Sequence, residues 1–360
     1  MKATAFSSQK LHESGDIMTD ILSLTLDDLR AEMQKMGEKP FRAAQVYKWL
    51  HQKRIQSFDE MSDISLALRE KLANAFTFEH IRPVRILKSQ TDGTEKLLYE
   101  LSDGNHIETV LMSYEHGDSL CISTQAGCKM GCRFCASTIA GFKRNLETNE
   151  ILGQLYETER ATGRQVSSIV LMGIGEPLDN FDNVVKFLKI LESPEGRNMS
   201  LRHVSLSTCG LVDRIYDLAA LDLGLTLSIS LHSPYDEKRS ELMPINQRYN
   251  ISELMRACRD YFAKTGRRIS FEYALIEDEN DSPADAKALI ELTRGMPAHI
   301  NIIPVNKIKE RSYRSDRPAA QRFCKLLCDL GATATVRRTL GADIDAACGQ
   351  LRREYEADTK

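Results

Sequence analysis

Three cysteines stand within eight residues in Cys128-Lys-Met-Gly-Cys132-Arg-Phe-Cys135. No packing requirement calls for thiols this close together, and the spacing suits side chains that hold one inorganic centre. Thiolates select zinc or iron–sulfur clusters. A closed structural zinc site takes four protein ligands, whereas this loop offers three. Three cysteines on a four-iron cluster leave one iron free to take a small molecule. Both readings stand on the residues alone: an open cluster, or zinc completed by a ligand from elsewhere.

The elements that must carry this loop show a repeating rhythm. Beyond Leu120, apolar runs at Leu120–Thr124, Ser168–Met172, Val204–Ser207, Thr226–Leu231, Ile269–Leu275 and Ile300–Val305 predict strands, and amphipathic stretches such as Val184–Leu191 and Ala284–Leu292 follow them. Six strand–helix units predict an α/β fold, a parallel sheet curled into a partial (β/α)6 barrel. Before it, Glu95–Leu101 and His106–Met112 alternate around Ser102-Asp103-Gly104-Asn105, a hairpin signature. Polar-amphipathic helices fill Thr25–Phe78. The expected organisation is a flexible tail over residues 1–18, a small helical N-terminal domain over 19–90, a bridging β-hairpin over 91–115 and the barrel over 116–360.

In such barrels the loops after the strands share one mouth, where chemistry gathers. The cysteine loop follows the first predicted strand. Later strands end at Gly173-Ile-Gly175-Glu176-Pro177, Ser205-Leu-Ser207-Thr208, Ser230-Leu231-His232 and Pro304-Val-Asn306, all with small or polar groups suited to a nucleoside. Gly173-Ile-Gly175 is not a dinucleotide fingerprint, because Leu178 stands where its third glycine belongs. Each motif also has a plain reading: a glycine turn, a satisfied buried histidine at His232, a surface strand carboxylate at Glu108. Glu108 shares a strand face with Val110 and Met112. Cys348, among small residues near the chain end, and Cys121, in the first strand, read on their own as packed thiols. Cys324 and Cys328, one helical turn apart, read as core, as do Cys209 and Cys258.

Composition narrows the class. The chain has 360 residues and a formal net charge of -3, so any contact with nucleic acid must come from local patches. Arg133, Lys143, Arg144, Lys307, Lys309, Arg311, Arg314, Arg337 and Arg338 lie near the expected mouth, and Arg42, Lys48, Lys53 and Arg54 surround Tyr47 and Trp49 in the helical domain. The opening residues lack an apolar signal core and no run approaches a membrane span. Nine cysteines therefore suggest reduced thiols in the cytoplasm, and no membrane partner. Nothing resembles a long coiled seam, and a monomer is the simplest expectation.

The Cys-x3-Cys-x2-Cys loop resembles that of the radical S-adenosylmethionine (SAM) superfamily, in which SAM occupies the open iron. Together with Cys121-Ile-Ser-Thr-Gln-Ala-Gly-Cys128, Gly141-Phe-Lys-Arg144-Asn145, Gly-Glu176-Pro177, Ser230-Leu-His232, Leu242-Met-Pro-Ile-Asn246 and Gly341-Ala-Asp-Ile-Asp-Ala-Ala-Cys348, it is similar to the RlmN type. The match covers nearly all of the chain after the tail. Ile174, where many relatives carry methionine, departs from the pattern. The resemblance implies methylation of adenosine carbon 2, in 23S ribosomal RNA and beside the anticodon of certain transfer RNAs. Its nearest relative, the Cfr type, methylates carbon 8 of the ribosomal adenosine and confers antibiotic resistance.

The resemblance also implies roles. Cys128, Cys132 and Cys135 would ligate one [4Fe-4S] cluster. Gly175, Glu176, Ser207, Ser230, Leu231, His232 and Asn306 would contact SAM, two molecules of which serve each turnover. Cys348 would take a methyl group from one SAM and hold it as a thioether, and a 5'-deoxyadenosyl radical from the second would convert that methyl into a carbon radical that adds to adenine. Glu108 would accept the ring proton, and Cys121 would release the product by a transient disulfide with Cys348. An electron donor such as a flavodoxin or ferredoxin completes the set. A zinc-containing RNA-binding protein remains the alternative of another class, although it has no use for the glycine-rich strand ends or Cys348.

Overall fold

The structure is a computed structural model that describes residues 18–305, 313, 315–344, 351, 352 and 355. Most of the expected tail, Asn306, Cys348 and the basic residues Lys307, Lys309, Arg311 and Arg314 lie outside the described residues.

Helices α1 (Leu26–Lys35), α2 (Pro40–His51) and α3 (Leu66–Ala75) form the N-terminal unit. Thr25 and Asp28 make a reciprocal cap at the start of α1, satisfying amides that a helix end leaves unpaired. Tyr47 and Trp49 are buried, and Trp49 donates to Asp63, so these rings belong to the unit's core and are not a stacking surface for bases. The chain then forms β1 (Arg82–Lys88), β2 (Glu95–Glu100), β3 (His106–Tyr114) and β4 (Gly117–Cys121). Between β2 and β3, Gly104 takes φ +77, the left-handed conformation that the Asp103-Gly104 pair predicts.

Two short strands, β5 (Gln125–Ala126) and β6 (Arg144–Asn145), precede α4 (Thr148–Thr162). The alternation then runs β7 (Val166–Leu171), α5 (Phe181–Glu192), β8 (Val204–Thr208), α6 (Val212–Ala220), β9 (Thr226–Ser230), α7 (Asp236–Leu242), α8 (Ile251–Thr265), β10 (Ile269–Leu275), α9 (Pro283–Thr293), β11 (Ala298–Pro304), α10 (Arg317–Asp329) and β12 (Ala334–Val336). The main sheet has ten strands in the order β1-β2-β3-β4-β7-β8-β9-β10-β11-β12. From β4 to β12 every pairing is parallel, which requires the helical crossovers; β1, β2 and β3 extend the sheet antiparallel. The hairpin is thus continuous with the barrel sheet. Sequence periodicity missed β1 and β12, and it placed the first strand a few residues late. Ile122 still donates to Val170 beyond the end of β4, so the apolar run outlasts the ladder.

Register fixes what faces inward. Leu206, Leu227, Ile229, Phe271, Tyr273, Ile300 and Ile302 share the core that packs on the helices. Residues alternate across a strand, so the opposite, inner face carries Ser205 and Ser207 of β8, Ser228 and Ser230 of β9, Ser270 and Glu272 of β10, and His299 and Asn301 of β11. Ser205 and Ser228 join through their hydroxyls at 3.0 Å, and Asn301 donates to Glu272 at 2.7 Å. Among the described residues, an apolar cluster of Val110, Met112, Cys121 and Val170 lies on this inner face toward β3, β4 and β7.

Candidate active site

The strand ends of β4, β7, β8, β9 and β10 open toward one mouth, and the cysteine loop rises from the first of them. Its ends are clamped: Gln125 pairs with Asn145 and Ala126 with Arg144, making a two-strand ladder under the loop. Gly127, with φ +86, fits only as glycine, because a Cβ would lie 1.9 Å from the Gly141 carbonyl oxygen. Arg144 forms a bidentate pair with Glu150 and meets Asp103 of the hairpin turn. It is thereby committed to structure and not to the phosphate-binding rim expected of it.

Above this ladder, Met130, Cys132 and Phe134 pack on an apolar shelf of Cys209, Leu242, Met243 and Ile276. Arg133 donates its amide to the Leu242 carbonyl at 2.9 Å, seating the loop on the end of α7. Burial pushes the Cys128 thiol up to about 12, with the charges of Cys135, Glu176 and Asp179 adding to the effect. Burial raises Cys132 as well, and then Cys135 and Cys128 repel its ionised form. Neighbouring thiolates in an apolar seat need a cationic centre to ionise together. Among the described residues, no three His, Cys, Asp or Glu side chains group as ligands of one metal ion. The donor set fits a polynuclear centre in which each of the three thiolates would bind a different iron.

The glycine-rich end of β7 lies against the base of the loop. A Cβ on Gly175, with φ +111, would stand 2.6 Å from the Gln125 Cβ, and one on Gly173 would stand 2.5 Å from the Ile122 carbonyl oxygen. Gln125 accepts from the Glu176 amide at 2.9 Å and donates to Asn145 and Asp179, joining the cysteine loop to the β7 turn. Glu176 is buried, and its carboxylate accepts from the amides of Leu178 at 3.1 Å and Cys209 at 2.7 Å. Burial raises its pKa, and these hydrogen bonds oppose the rise.

Ser207, Ser230, Leu231 and His232 follow the same order around the mouth. Ser207 and Ser230 face inward, whereas Leu231 is fully buried. His232 takes φ +59, accepts from the Ala274 amide at Nδ1 and sets its ring 4.7 Å from that of Phe134 in the cysteine loop. Burial, then the charge of Arg239, lowers its pKa to about 3, so the imidazole is neutral. Arg239 is fully buried and donates to the carbonyls of Leu231, Ser230 and Cys209 and to Asn246. It holds the ends of β8 and β9 together beneath the loop. The Leu-Met-Pro-Ile-Asn246 motif held half of this arrangement; a buried arginine among Glu, Lys and Ser gave no sequence signal.

Glu108 and Cys121 meet on the inner face. Glu108 precedes Val110 by two residues on β3, and Val110 pairs with Cys121. The carboxylate is 2% exposed and lies 3.1 Å from Lys96, itself fully buried. Burial raises the Cys121 thiol, and the nearby Arg337 opposes that rise. The far end of the chain returns here. Leu340 packs on Val110, Met112 and Cys121, Gly341 donates to Asp92 at 2.7 Å, and the Arg352 amide donates to Glu108 at 2.6 Å. Cys348 lies between these anchors in sequence. The eight cysteines among the described residues are all free thiols. Cys258 is core, whereas Cys328 is exposed on α10 and Cys324 only half-buried, because the apolar stripe of that helix runs through Phe323 and Leu327 instead.

Comparison with known proteins gives the same reading. Residues 19–77 match the model of the ribosomal RNA large subunit methyltransferase N-terminal domain, and residues 122–290 match that of the radical SAM superfamily. The chain is 51% identical over 342 residues to the probable dual-specificity RNA methyltransferase RlmN of Lachnospira eligens, covering 95% of this chain and 98% of that one. It is 50% identical over 339 residues to the probable RlmN of Clostridium botulinum strain Alaska E43, covering 94% and 97%. A radical SAM methyltransferase from Sphaerobacter thermophilus, solved by crystallography, superposes with TM-score 0.86 at 39% identity, covering 92% of this chain and 98% of that one. No helix among the described residues is long and apolar enough to cross a membrane. With an open three-cysteine loop at the mouth of a partial barrel and relatives matched along almost its whole length, the chain belongs to the RlmN dual-specificity RNA methyltransferases of the radical SAM superfamily.

Proposed function

We propose that the chain methylates carbon 2 of an adenosine in 23S ribosomal RNA and of the adenosine beside the anticodon in certain transfer RNAs, with Cys348 as the methyl carrier. The observation that carries this reading is the return of the C-terminal chain to Glu108 and Cys121, through Leu340 on one side of Cys348 in sequence and Arg352 on the other. Carbon 2 of adenine lies between two ring nitrogens and is too electron-poor to attack a sulfonium methyl group, so a protein carrier is needed. The cluster and SAM, held by Cys128, Cys132, Cys135, Gly175, Glu176, Ser207, Ser230, Leu231, His232 and Asn306, supply a 5'-deoxyadenosyl radical when bound.

The chain's own residues do the rest. The Cys348 thiolate is a competent nucleophile and holds the methyl group as a thioether. Glu108 receives the ring proton, and its carboxylate is kept in place by Lys96 and the Arg352 amide. Cys121 then attacks the Cys348 sulfur, and a disulfide forms as the bond from that sulfur to the product carbon breaks; the carbon keeps the electron pair and takes up a proton, equivalent to the one the Cys121 thiol gives up, to become the methyl group. The helical domain over 19–90 and the basic mouth loops contact RNA, the hairpin over 91–115 joins them to the barrel over 116–360, a flavodoxin or ferredoxin supplies electrons, two SAM molecules serve each turnover, and the chain acts as a monomer in the cytoplasm.

Variants at the two thiols test the reading. Cys348→Ala abolishes methyl transfer without removing iron, and Cys121→Ala leaves RNA covalently attached to the protein. Product from Cys348→Ala would end the carrier proposal. Mass spectrometry of digested RNA is expected to place the new methyl on carbon 2, and a methyl found only on carbon 8 would assign the chain to the Cfr type instead.

A further inference from the structure

A second polar cavity opens at the opposite end of the barrel. It has a volume of about 730 Å³ and lies between the end of α2 and the segments that lead into β7 and β8, with His51, Arg54, Glu159, Arg164, Arg197 and Asn198 on its walls. These are amino-terminal strand ends, facing away from the cysteine loop, so the cavity is separate from the catalytic mouth.

Its charges are uneven. Arg164 is answered by Asp118 and Glu95. Arg54 and Arg197 share the one carboxylate of Glu159, which also accepts from the Val166 amide at 2.8 Å, leaving one guanidinium charge in excess. Two buried nitrogens on these walls have no partner among the described residues: Arg197 Nε and His51 Nε2. His51 is fully buried, and its Nδ1 lies 3.1 Å from the Tyr156 hydroxyl. In the tautomer that lets Tyr156 donate to Nδ1, Nε2 carries the proton and has no acceptor among the described residues. Buried donors without acceptors are rare, because each forfeits its hydration on folding. The backbone is also unusual at Arg54, with φ +54, a conformation that long side chains avoid unless their surroundings impose it.

We propose that this cleft binds a phosphate group, held between the guanidinium groups of Arg54 and Arg197. A tetrahedral oxyanion takes donors from several directions at once, answers the excess positive charge and suits guanidinium in particular. The group belongs either to the backbone of the RNA or to a small phosphorylated ligand.

The test uses the intact, iron-loaded chain under anaerobic conditions, with inorganic phosphate as the probe and chloride at equal ionic strength as the control. Calorimetric titration is expected to show saturable phosphate binding. Arg54→Gln, at a side chain 39% exposed and so tolerant of change, weakens it by about tenfold, the loss of one charge-assisted contact. Arg54→Lys keeps the charge and recovers part of the affinity. Phosphate that competes with RNA, together with a salt dependence of RNA binding reduced by about one ion in Arg54→Gln, assigns the group to the RNA backbone. Phosphate binding that RNA neither displaces nor weakens assigns it to a small ligand. No response beyond that to chloride, or undiminished binding by Arg54→Gln, overturns the proposal. Because binding is read without turnover, its failure leaves the methyl-transfer reading untouched.

Discussion

Lys96 and Glu108 form an ion pair withdrawn from solvent on both sides. Such a pair adds little net stability over an apolar pair, but removing one member strands the other. Lys96→Met is therefore expected to destabilise the fold by about 3 to 5 kcal/mol, whereas Lys96→Met with Glu108→Leu costs less; urea titration of both measures the difference. His51, like His232, links folding to pH directly. Burial lowers its pKa from 6.5 to about 3, so the folded chain keeps it neutral where the unfolded chain protonates it. The stability it supports is fully present above pH 6.5 and is lost as the pH falls toward 3. The advantage of the wild type over His51→Phe should shrink by about 1.4 kcal/mol per pH unit across that window, as followed by unfolding midpoints at successive pH values.

At the scale of elements, α4 is instructive because its sequence reads as a surface helix. Thr148, Asn149, Glu150, Gln154, Glu157, Thr158 and Glu159 are all buried. Each polar group has specific work: Thr158 meets Tyr99, Asn149 meets Ser23, and Gln154 bonds both the amide and the carbonyl of Ser123 as well as Thr109. Gln154 thereby fixes the chain just where it leaves β4 for the cysteine loop. Gln154→Leu keeps the volume and strands those backbone groups, at about 1 to 3 kcal/mol for each. Its expected signature is a loss of stability joined to reduced iron content after reconstitution, read by thermal unfolding and iron analysis. Hydrophobic periodicity marks helices with one wet face, and this helix has neighbours on several sides, so the burial of its polar residues has no local sequence signal.

For the whole molecule, the legible part of the fold was the part that repeats. Apolar strands followed by amphipathic helices announced the parallel sheet, and the Asp103-Gly104 turn announced the hairpin. β1 and β12 were illegible because their burial is partial and depends on neighbours far along the chain. Within the site, Cys128, Cys132, Cys135 and the glycine turns could be read from spacing, since a short loop must itself supply the geometry. Arg239, Lys96 and Gln125 could not, because their partners sit on other strands. The basic residues divided in the same way: Arg144 found carboxylates on two separate elements, which no local pattern foretells. The clamp formed by β5 and β6 has a further consequence. Stripping iron from the protein frees the arc from 127 to 143 but leaves both of its feet pinned. Trypsin should then nick the chelated protein after Lys129, Arg133 or Lys143 while the two pieces continue to co-elute in size-exclusion chromatography, so that loss of the metal opens a gap in the rim and leaves the vessel standing.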